Sequence, residues 1–321
     1  MSNLPKLSPV SVALMSVLPV IDYNTVPIEV LRSSHASIAL SDEILRPKVT
    51  VQRIEIPTSE DGHLIPADIY RPASAMPNEI LPAMVFLPGG GFCLPAQGGH
   101  PFIASKISGE VNCVVILAHY SLSPEVRYPV AVEECYSVFE WATNPDNASK
   151  LFFDPTKVAM GGDSAGASLT ISISVLAKRR NLKNKMKHQI LYYPAIYPNA
   201  ATESRQNFTE GCILSRDTID FFLNNYISSE KDKLDPICFP SNLETEDLIG
   251  LPPVLIITGE ADPLRDEGEI FARRLLDAEV IVSSYRVHGV LHGFLSIPPL
   301  HSKEVLEVID MTTGALRRAF S

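Results

Sequence analysis

Gly162-Asp163-Ser164-Ala165-Gly166 fits the pattern G-x-S-x-G, in which a sharp strand-to-helix turn presents a serine hydroxyl. The flanking glycines are a steric need, because side chains there would strike the sheet and the neighbouring strand. At average usage the pattern arises by chance in roughly one chain of this length in ten, so its surroundings decide. Residues 158–161 read as a short apolar strand, and the chain from Ala165 onward reads as a helix. The alternative is a glycine-rich turn in which Ser164 only caps that helix. Pro88-Gly89-Gly90-Gly91-Phe92 follows a second strand candidate. Its unobstructed backbone N–H groups suit an oxyanion hole for a tetrahedral intermediate. A phosphate cradle would call for Gly-Lys-Ser/Thr next, which is absent; a plain turn is the other alternative.

A serine nucleophile needs a general base, and the base needs an orienting carboxylate. Downstream of Ser164 the histidines are His188, His288, His292 and His301. His188 precedes a strand candidate and His301 begins a C-terminal helix, which points to structural or exposed roles. His292, in Leu291-His292-Gly293-Phe294, falls in the loop after the last expected strand, where a parallel sheet places catalytic groups. His288 lies close enough to that strand end to remain a rival. For the acid, Asp262 follows a strand in Gly259-Glu260-Ala261-Asp262-Pro263-Leu264. Asp262 before Pro263 also reads as a helix N-cap with proline at the first helical position. Glu260 and Asp266 are therefore kept as rivals. The order Ser164, Asp262, His292 is that of the α/β-hydrolase scaffold.

These groups need elements to hold them. Residues 1–45 read as mostly helical, broken at 22–24. Residues 49–57 and 64–70 alternate like strands around Asp61-Gly62, a hairpin signal. Short apolar strands are expected at 81–87, 111–118, 158–161, 189–193, 254–258 and 280–287. Helix-length stretches between them include 130–141, 165–180 and 267–278. This rhythm predicts an α/β fold: a mostly parallel central sheet with helices on both faces and the hairpin at one edge. Ile171, Ile173 and Val175 alternate with Ser172 and Ser174 as a strand would, yet the run is too long for one, so a helix is expected. Residues 198–242 hold no good strand and one helix candidate at 218–227. They read as an insertion over the sheet, placed to act as a lid.

The 27 Lys+Arg against 37 Asp+Glu leave a net charge of −10, which opposes a nucleic-acid partner and docking on anionic lipid. No apolar run reaches the roughly 18 residues that span a bilayer, so no stable membrane insertion is expected. Residues 10–21 superficially resemble a signal peptide, but Pro19 interrupts them and no cleavage pattern follows; they read as an amphipathic helix. Cys93, Cys113, Cys135, Cys212 and Cys238 are scattered and odd in number, which favours a reducing, cytoplasmic setting over disulfides or zinc.

Together, the segments Pro88–Phe92, Gly162–Gly166, Asp262-Pro263-Leu264-Arg265-Asp266-Glu267 and His292-Gly293-Phe294 resemble the hormone-sensitive-lipase-like esterases. Tyr120-Ser121-Leu122-Ser123-Pro124-Glu125 is similar to that family's Y-R-L-A-P-E stretch. The resemblance runs from about residue 10 to the C-terminus. It implies the α/β-hydrolase fold, with Ser164, Asp262 and His292 as triad and Gly90, Gly91 and Ala165 as oxyanion donors. It also implies a helical cap, built from an N-terminal segment (1–45) and the insertion (about 198–242) over a catalytic domain (46–321). The chain departs from the family at Pro88, usually His, and at Ser121, usually Arg; with Pro88, backbone rigidity could hold the loop. The expected activity is hydrolysis of short- to medium-chain acyl esters through an acyl-enzyme. Phe92, Cys93 and Leu94 would line the site, and neither cofactor nor metal is needed. An amidase or deacetylase on the same triad, or a non-catalytic small-molecule binder, are the rival functions. A small ester is the expected partner, and a homodimer is left open.

Overall fold

The computed structural model describes residues 5–17, 23, 25–36, 48–58, 62–96, 98–209 and 213–321. Strands β1 (Val49–Pro57), β2 (Leu64–Pro72), β3 (Leu81–Leu87), β4 (Val114–Ala118), β5 (Phe153–Asp163), β6 (Gln189–Tyr192), β7 (Val254–Ala261) and β8 (Val282–Leu291) form one sheet. Their order is β1-β2-β4-β3-β5-β6-β7-β8. β1 and β2 pair antiparallel, as the hairpin signal predicts, with Val49 opposite Pro72. Gly62 of the turn has φ +74°, and Asp61 lies outside the described residues. β2 also meets β4 antiparallel, and every pairing from β4 through β8 is parallel.

Both faces of the sheet are covered, and so the inner strands are apolar throughout. Val85, Leu87 and Ile116 face a core shared with helices α4 (Val130–Ala142), α6 (Ala165–Arg179) and α10 (Arg265–Asp277). Met84, Phe86 and Leu117 face a second core, closed by α3 (Gly99–Val111) and α11 (Lys303–Phe320). The alternation within α6 misleads for a physical reason. This helix is buried nearly all round, so its serines are interior, and Ser172 Oγ donates to the carbonyls of Ser168 and Ile237.

Three expected boundaries are corrected. β4 begins at Val114 rather than at 111, because Val111 ends α3 and Asn112 turns the chain through the left-handed region at φ 60°. β5 begins at Phe153, earlier than 158. β8 runs to Leu291 instead of ending at 287, which places His288 inside the strand.

The remaining helices are α1 (Pro9–Val17), α2 (Ile28–Ala36), α5 (Pro145–Lys150), α7 (Glu203–Phe208), α8 (Arg216–Tyr226) and α9 (Thr245–Leu248). The expected break at 22–24 falls on residues of which only Tyr23 is described, and 37–45 lie outside the described residues. Ser8 N–H and Ser11 Oγ both donate to Gly289 O, tying α1 to β8. In the insertion, α8 starts behind Ser215, whose hydroxyl accepts from Thr218 N–H at 3.1 Å. No helix among the described residues is long and apolar enough to cross a membrane.

Candidate active site

β5 ends at Asp163, and the next residue takes a conformation few side chains tolerate: Ser164 has φ 51° and ψ −117°. Its hydroxyl makes no capping bond to α6, so the capping alternative for Ser164 is set aside. Strain of this kind costs about 1–3 kcal/mol and survives only where the surroundings impose it. They do: a Cβ on Gly162 or Gly166 would collide with the Leu87 carbonyl of the neighbouring strand. The turn thus packs against β3 with its hydroxyl beyond the carboxyl end of the sheet.

β7 and β8 end beside it. Ser164 Oγ lies 3.0 Å from His292 Nε2, and His292 Nδ1 lies 2.8 Å from Asp262 Oδ2. Asp262 is fully buried and His292 nearly so. The other carboxylate oxygen of Asp262 accepts Leu264 N–H at 2.7 Å, and the Asp262 carbonyl accepts Arg265 N–H. Asp262 therefore shapes the turn into α10, but the helix itself starts at Arg265, so Pro263 is not its first residue. With Nδ1 facing a carboxylate, the imidazole proton is drawn to Nδ1 and the Nε2 lone pair faces the serine. The Tyr193 ring meets His292 edge-on at 4.9 Å and fixes its plane.

The rival groups are occupied elsewhere. His288, largely exposed, places Nδ1 2.9 Å from Glu260 Oε1, and Glu260 also accepts Gly289 N–H. Asp266 accepts from Arg265 Nε and Ser204 N–H. His301 Nε2 lies 2.7 Å from the Leu295 carbonyl, and burial pushes His188 down to about 4.

The glycine turn lies after β3. Gly90 and Gly91 have φ 116° and 59°, conformations that favour glycine. Gly89 N–H is engaged by Asp163 Oδ1 at 2.8 Å, leaving Gly90, Gly91 and the helix-starting Ala165 to present donors. Asp163 is a residue that sequence reasoning missed. Buried beside His100 Nε2 at 3.0 Å and Tyr193 Oη at 3.4 Å, it links the serine turn to the glycine turn. Burial raises the Asp163 carboxyl, but the facing His100 and the bonds from His100, Gly89 and Ser296 together hold it below the usual range. The available signal was an acid at the end of a buried strand, where an unpartnered charge is untenable. Tyr120 Oη donates to Pro88 O at 2.8 Å, so this loop is held by side-chain hydrogen bonds and not by proline rigidity alone. Ser121 donates its N–H and hydroxyl to Glu134.

A cavity of about 490 Å³ opens at Ser164 and His292. Its walls are mainly apolar; α1, α2, α8 and the glycine turn contribute Leu14, Val30, Leu31, Phe222 and Leu223 among others, and the loop after β8 contributes Gly293 and Ile297. Phe92 and Leu94 line it as expected, and the Phe92 ring stacks on Tyr226 at 3.6 Å. Cys93 is not among its lining residues; it is fully buried, and burial pushes its thiol up to about 12. The Phe222 ring sits directly on Gly91, where any Cβ would collide with it. Tyr23 packs against Phe221 and Phe222 at 5.6 and 5.8 Å, joining the N-terminal segment to the insertion. Among the described residues no group of three or more His, Cys, Asp or Glu is placed to hold a metal.

A family model described as alpha/beta hydrolase fold matches residues 84–296. An arylesterase of Saccharolobus solfataricus is 35% identical over 74% of this chain and 75% of its own. The carboxylesterase NlhH of Mycobacterium tuberculosis is 30% identical over 98% of this chain and 97% of its own. The structure of an esterase from Rhizomucor miehei superposes with a TM-score of 0.92 at 33% identity, covering 99% of this chain and 98% of that one.

Proposed function

We propose that this chain, which belongs to the alpha/beta hydrolase fold family and is a carboxylesterase, works through Ser164, His292 and Asp262 as a catalytic triad. The observation that carries the reading is the continuous hydrogen-bond line from Asp262 through His292 to Ser164 at the floor of an apolar cavity. His292 Nε2 takes the hydroxyl proton as Ser164 Oγ bonds to the ester carbonyl carbon. The N–H groups of Gly90, Gly91 and Ala165 hold the resulting oxyanion. His292 then passes the proton to the departing alkoxide oxygen, which leaves as the alcohol, with the acyl group on Ser164. A water molecule, deprotonated by the same imidazole, attacks the acyl-enzyme; collapse returns the proton to Ser164 and releases the acid. Asp262 keeps the imidazole in the working tautomer and stabilises the imidazolium. Labelling with a fluorophosphonate, followed by peptide mapping, tests this: the adduct belongs on Ser164, and an adduct elsewhere overturns the assignment.

The N-terminal segment (1–45) and the insertion (198–242) are read as a cap over the catalytic domain (46–321), because these two segments, α1, α2 and α8 among them, supply about half of the residues lining the cavity. A cavity of that size, with Phe222 seated on Gly91, favours short- to medium-chain acyl groups. Truncating Phe222 removes the stop nearest the oxyanion glycines. In Phe222→Ala, kcat/KM for lauroyl relative to acetyl p-nitrophenyl esters should rise about tenfold or more, since each methylene in an apolar pocket is worth about 1–3 kcal/mol. An unchanged chain-length profile removes Phe222 from the acyl path.

Asp163 is read as the group that holds the glycine turn against the serine turn. In Asp163→Ala both bonds to Oδ1, from Gly89 N–H and from His100 Nε2, are lost. Displacing a positioned group by about 1 Å costs about a hundredfold. The kcat on p-nitrophenyl acetate should therefore fall about ten- to a hundredfold, with KM changing little. A change confined to KM would assign Asp163 to binding instead.

A further inference from the structure

Arg32, on the cavity-lining helix α2, reaches across to the turn that carries the oxyanion glycines. Its Nε donates to Cys93 O at 2.9 Å, and its Nη2 donates to Ser123 O at 2.8 Å. Its two Nη groups grip Glu125 Oε1 and Oε2, each at 2.7 Å. The Cys93 peptide is itself part of the glycine turn, because Cys93 N–H and Leu94 N–H both donate to Gly90 O, at 3.0 and 2.9 Å. Ser123 N–H donates to Phe92 O at 2.9 Å, so the carbonyl of Ser123 and the amide of Cys93 belong to one stitched unit. One guanidinium thus closes a loop of hydrogen bonds that ends on the carbonyl of Gly90.

An exposed ion pair alone would carry little weight, and Glu125 is half-exposed. The Arg32 side chain, however, is only 20% exposed, and two of its acceptors are main-chain carbonyls beside the site. A planar guanidinium can serve a bidentate carboxylate and two carbonyls at once; a lysine ammonium, a point donor on a flexible stem, cannot match that fork. The same helix carries Val30, Leu31 and Ser34 into the cavity wall.

We infer that Arg32 is a positioning residue that couples the seating of α2 on the cavity to the shape of the Gly90–Leu94 turn, and through it to oxyanion binding. This rests on the reading of Gly90 and Gly91 as oxyanion donors. With α2 seated, the guanidinium pulls on the Cys93 carbonyl and holds the turn closed around Gly90 O. Without it the turn keeps its internal bonds but loses its external anchor, and the amides of Gly90 and Gly91 wander relative to Ser164. Such wander matters more to the tetrahedral intermediate than to the planar ester, because the donors must meet the oxyanion and not the ground-state carbonyl.

The test compares Arg32→Ala, Arg32→Lys and Glu125→Gln with the wild type on p-nitrophenyl acetate. It pairs kcat and KM with the affinities for butylboronic acid, which forms a tetrahedral adduct with the serine, and for 2-heptanone, a planar ligand. Arg32→Ala should lower kcat about ten- to a hundredfold and weaken the boronate by a similar factor, while ketone affinity stays within about twofold. Arg32→Lys should recover only part of the loss, and millimolar guanidinium should partly rescue Arg32→Ala. Glu125→Gln, which leaves both carbonyl contacts intact, should cost less than Arg32→Ala. A fall in Tm with kcat and boronate affinity both within about twofold of wild type would make Arg32 a purely structural tie and overturn the proposal. Should Arg32→Ala not fold, full activity and boronate affinity in Arg32→Lys would overturn it equally. If the wild type itself turns over the ester but binds no boronate, the serine mechanism fails first, and this inference fails with it.

Discussion

Replacing Ser164 with alanine is expected to lower kcat/KM on p-nitrophenyl esters by about four orders of magnitude or more, with the fold unchanged. The size of the effect follows from what is removed. In the proposed mechanism Ser164 Oγ forms the covalent bond to the acyl carbon, so its loss removes the covalent step. What survives is His292, still oriented by Asp262, and the oxyanion donors, which together act on water only weakly. The fold should be indifferent because the strain at φ 51° is a property of the backbone, which alanine shares, and because the hydroxyl makes no capping bond. Ser164 N–H donates to Tyr192 O at 2.9 Å whatever the side chain. The measurements are steady-state kinetics, loss of fluorophosphonate labelling and an unshifted Tm. Retention of more than about a tenth of wild-type activity would remove Ser164 from the covalent step.

The two turns that matter most for the chemistry were legible because their constraints are local. Glycines flank Ser164 because their positions face the Leu87 carbonyl, and Gly90 and Gly91 stand where φ is positive. His292 was found by its place after the last strand, even though β8 runs four residues beyond the expected end, from 287 to Leu291. Periodicity alone cannot see such an extension, because the first half of β8 is exposed and its end is buried. The contacts between distant segments were not legible. Asp163 meets His100, Arg32 meets Cys93 and Ser123, and Phe222 covers Gly91; each pair is far apart in the chain and is joined only when the sheet and the cavity-lining helices assemble. Cys93 was assigned to the site by adjacency to Phe92 and Leu94, but in the tight turn after Gly90 its side chain is buried instead. Nothing in the composition distinguishes these three neighbours.

Asp262→Asn is expected to lower kcat by about three to four orders of magnitude, through the tautomer of His292 and not through lost charge alone. The argument is one of donors and acceptors. Asp262 Oδ1 accepts Leu264 N–H at 2.7 Å, and Oδ2 faces His292 Nδ1 at 2.8 Å. An asparagine has a single acceptor oxygen, and the buried Leu264 amide, which cannot turn away, claims it. The side-chain NH2 then faces His292 Nδ1, which must accept, and the imidazole proton moves to Nε2, pointing at Ser164. A nitrogen that already carries its proton cannot take the serine's, so the base is disabled while the geometry stays intact. Asp266→Asn poses no such problem. Its partners are Arg265 Nε on one oxygen and Ser204 N–H on the other, neither of which touches the reacting groups, so the amide keeps one of these bonds and loses the other away from the site. Its kcat should stay within about threefold of wild type, with a lower Tm as the main effect. Glu260→Gln serves as the third member of the series, since Glu260 is paired with the exposed His288. Measured side by side at one pH, the three variants rank the candidate acids directly. A larger loss in Asp266→Asn or Glu260→Gln than in Asp262→Asn would move the orienting carboxylate to that residue, against the 2.8 Å contact that now supports Asp262.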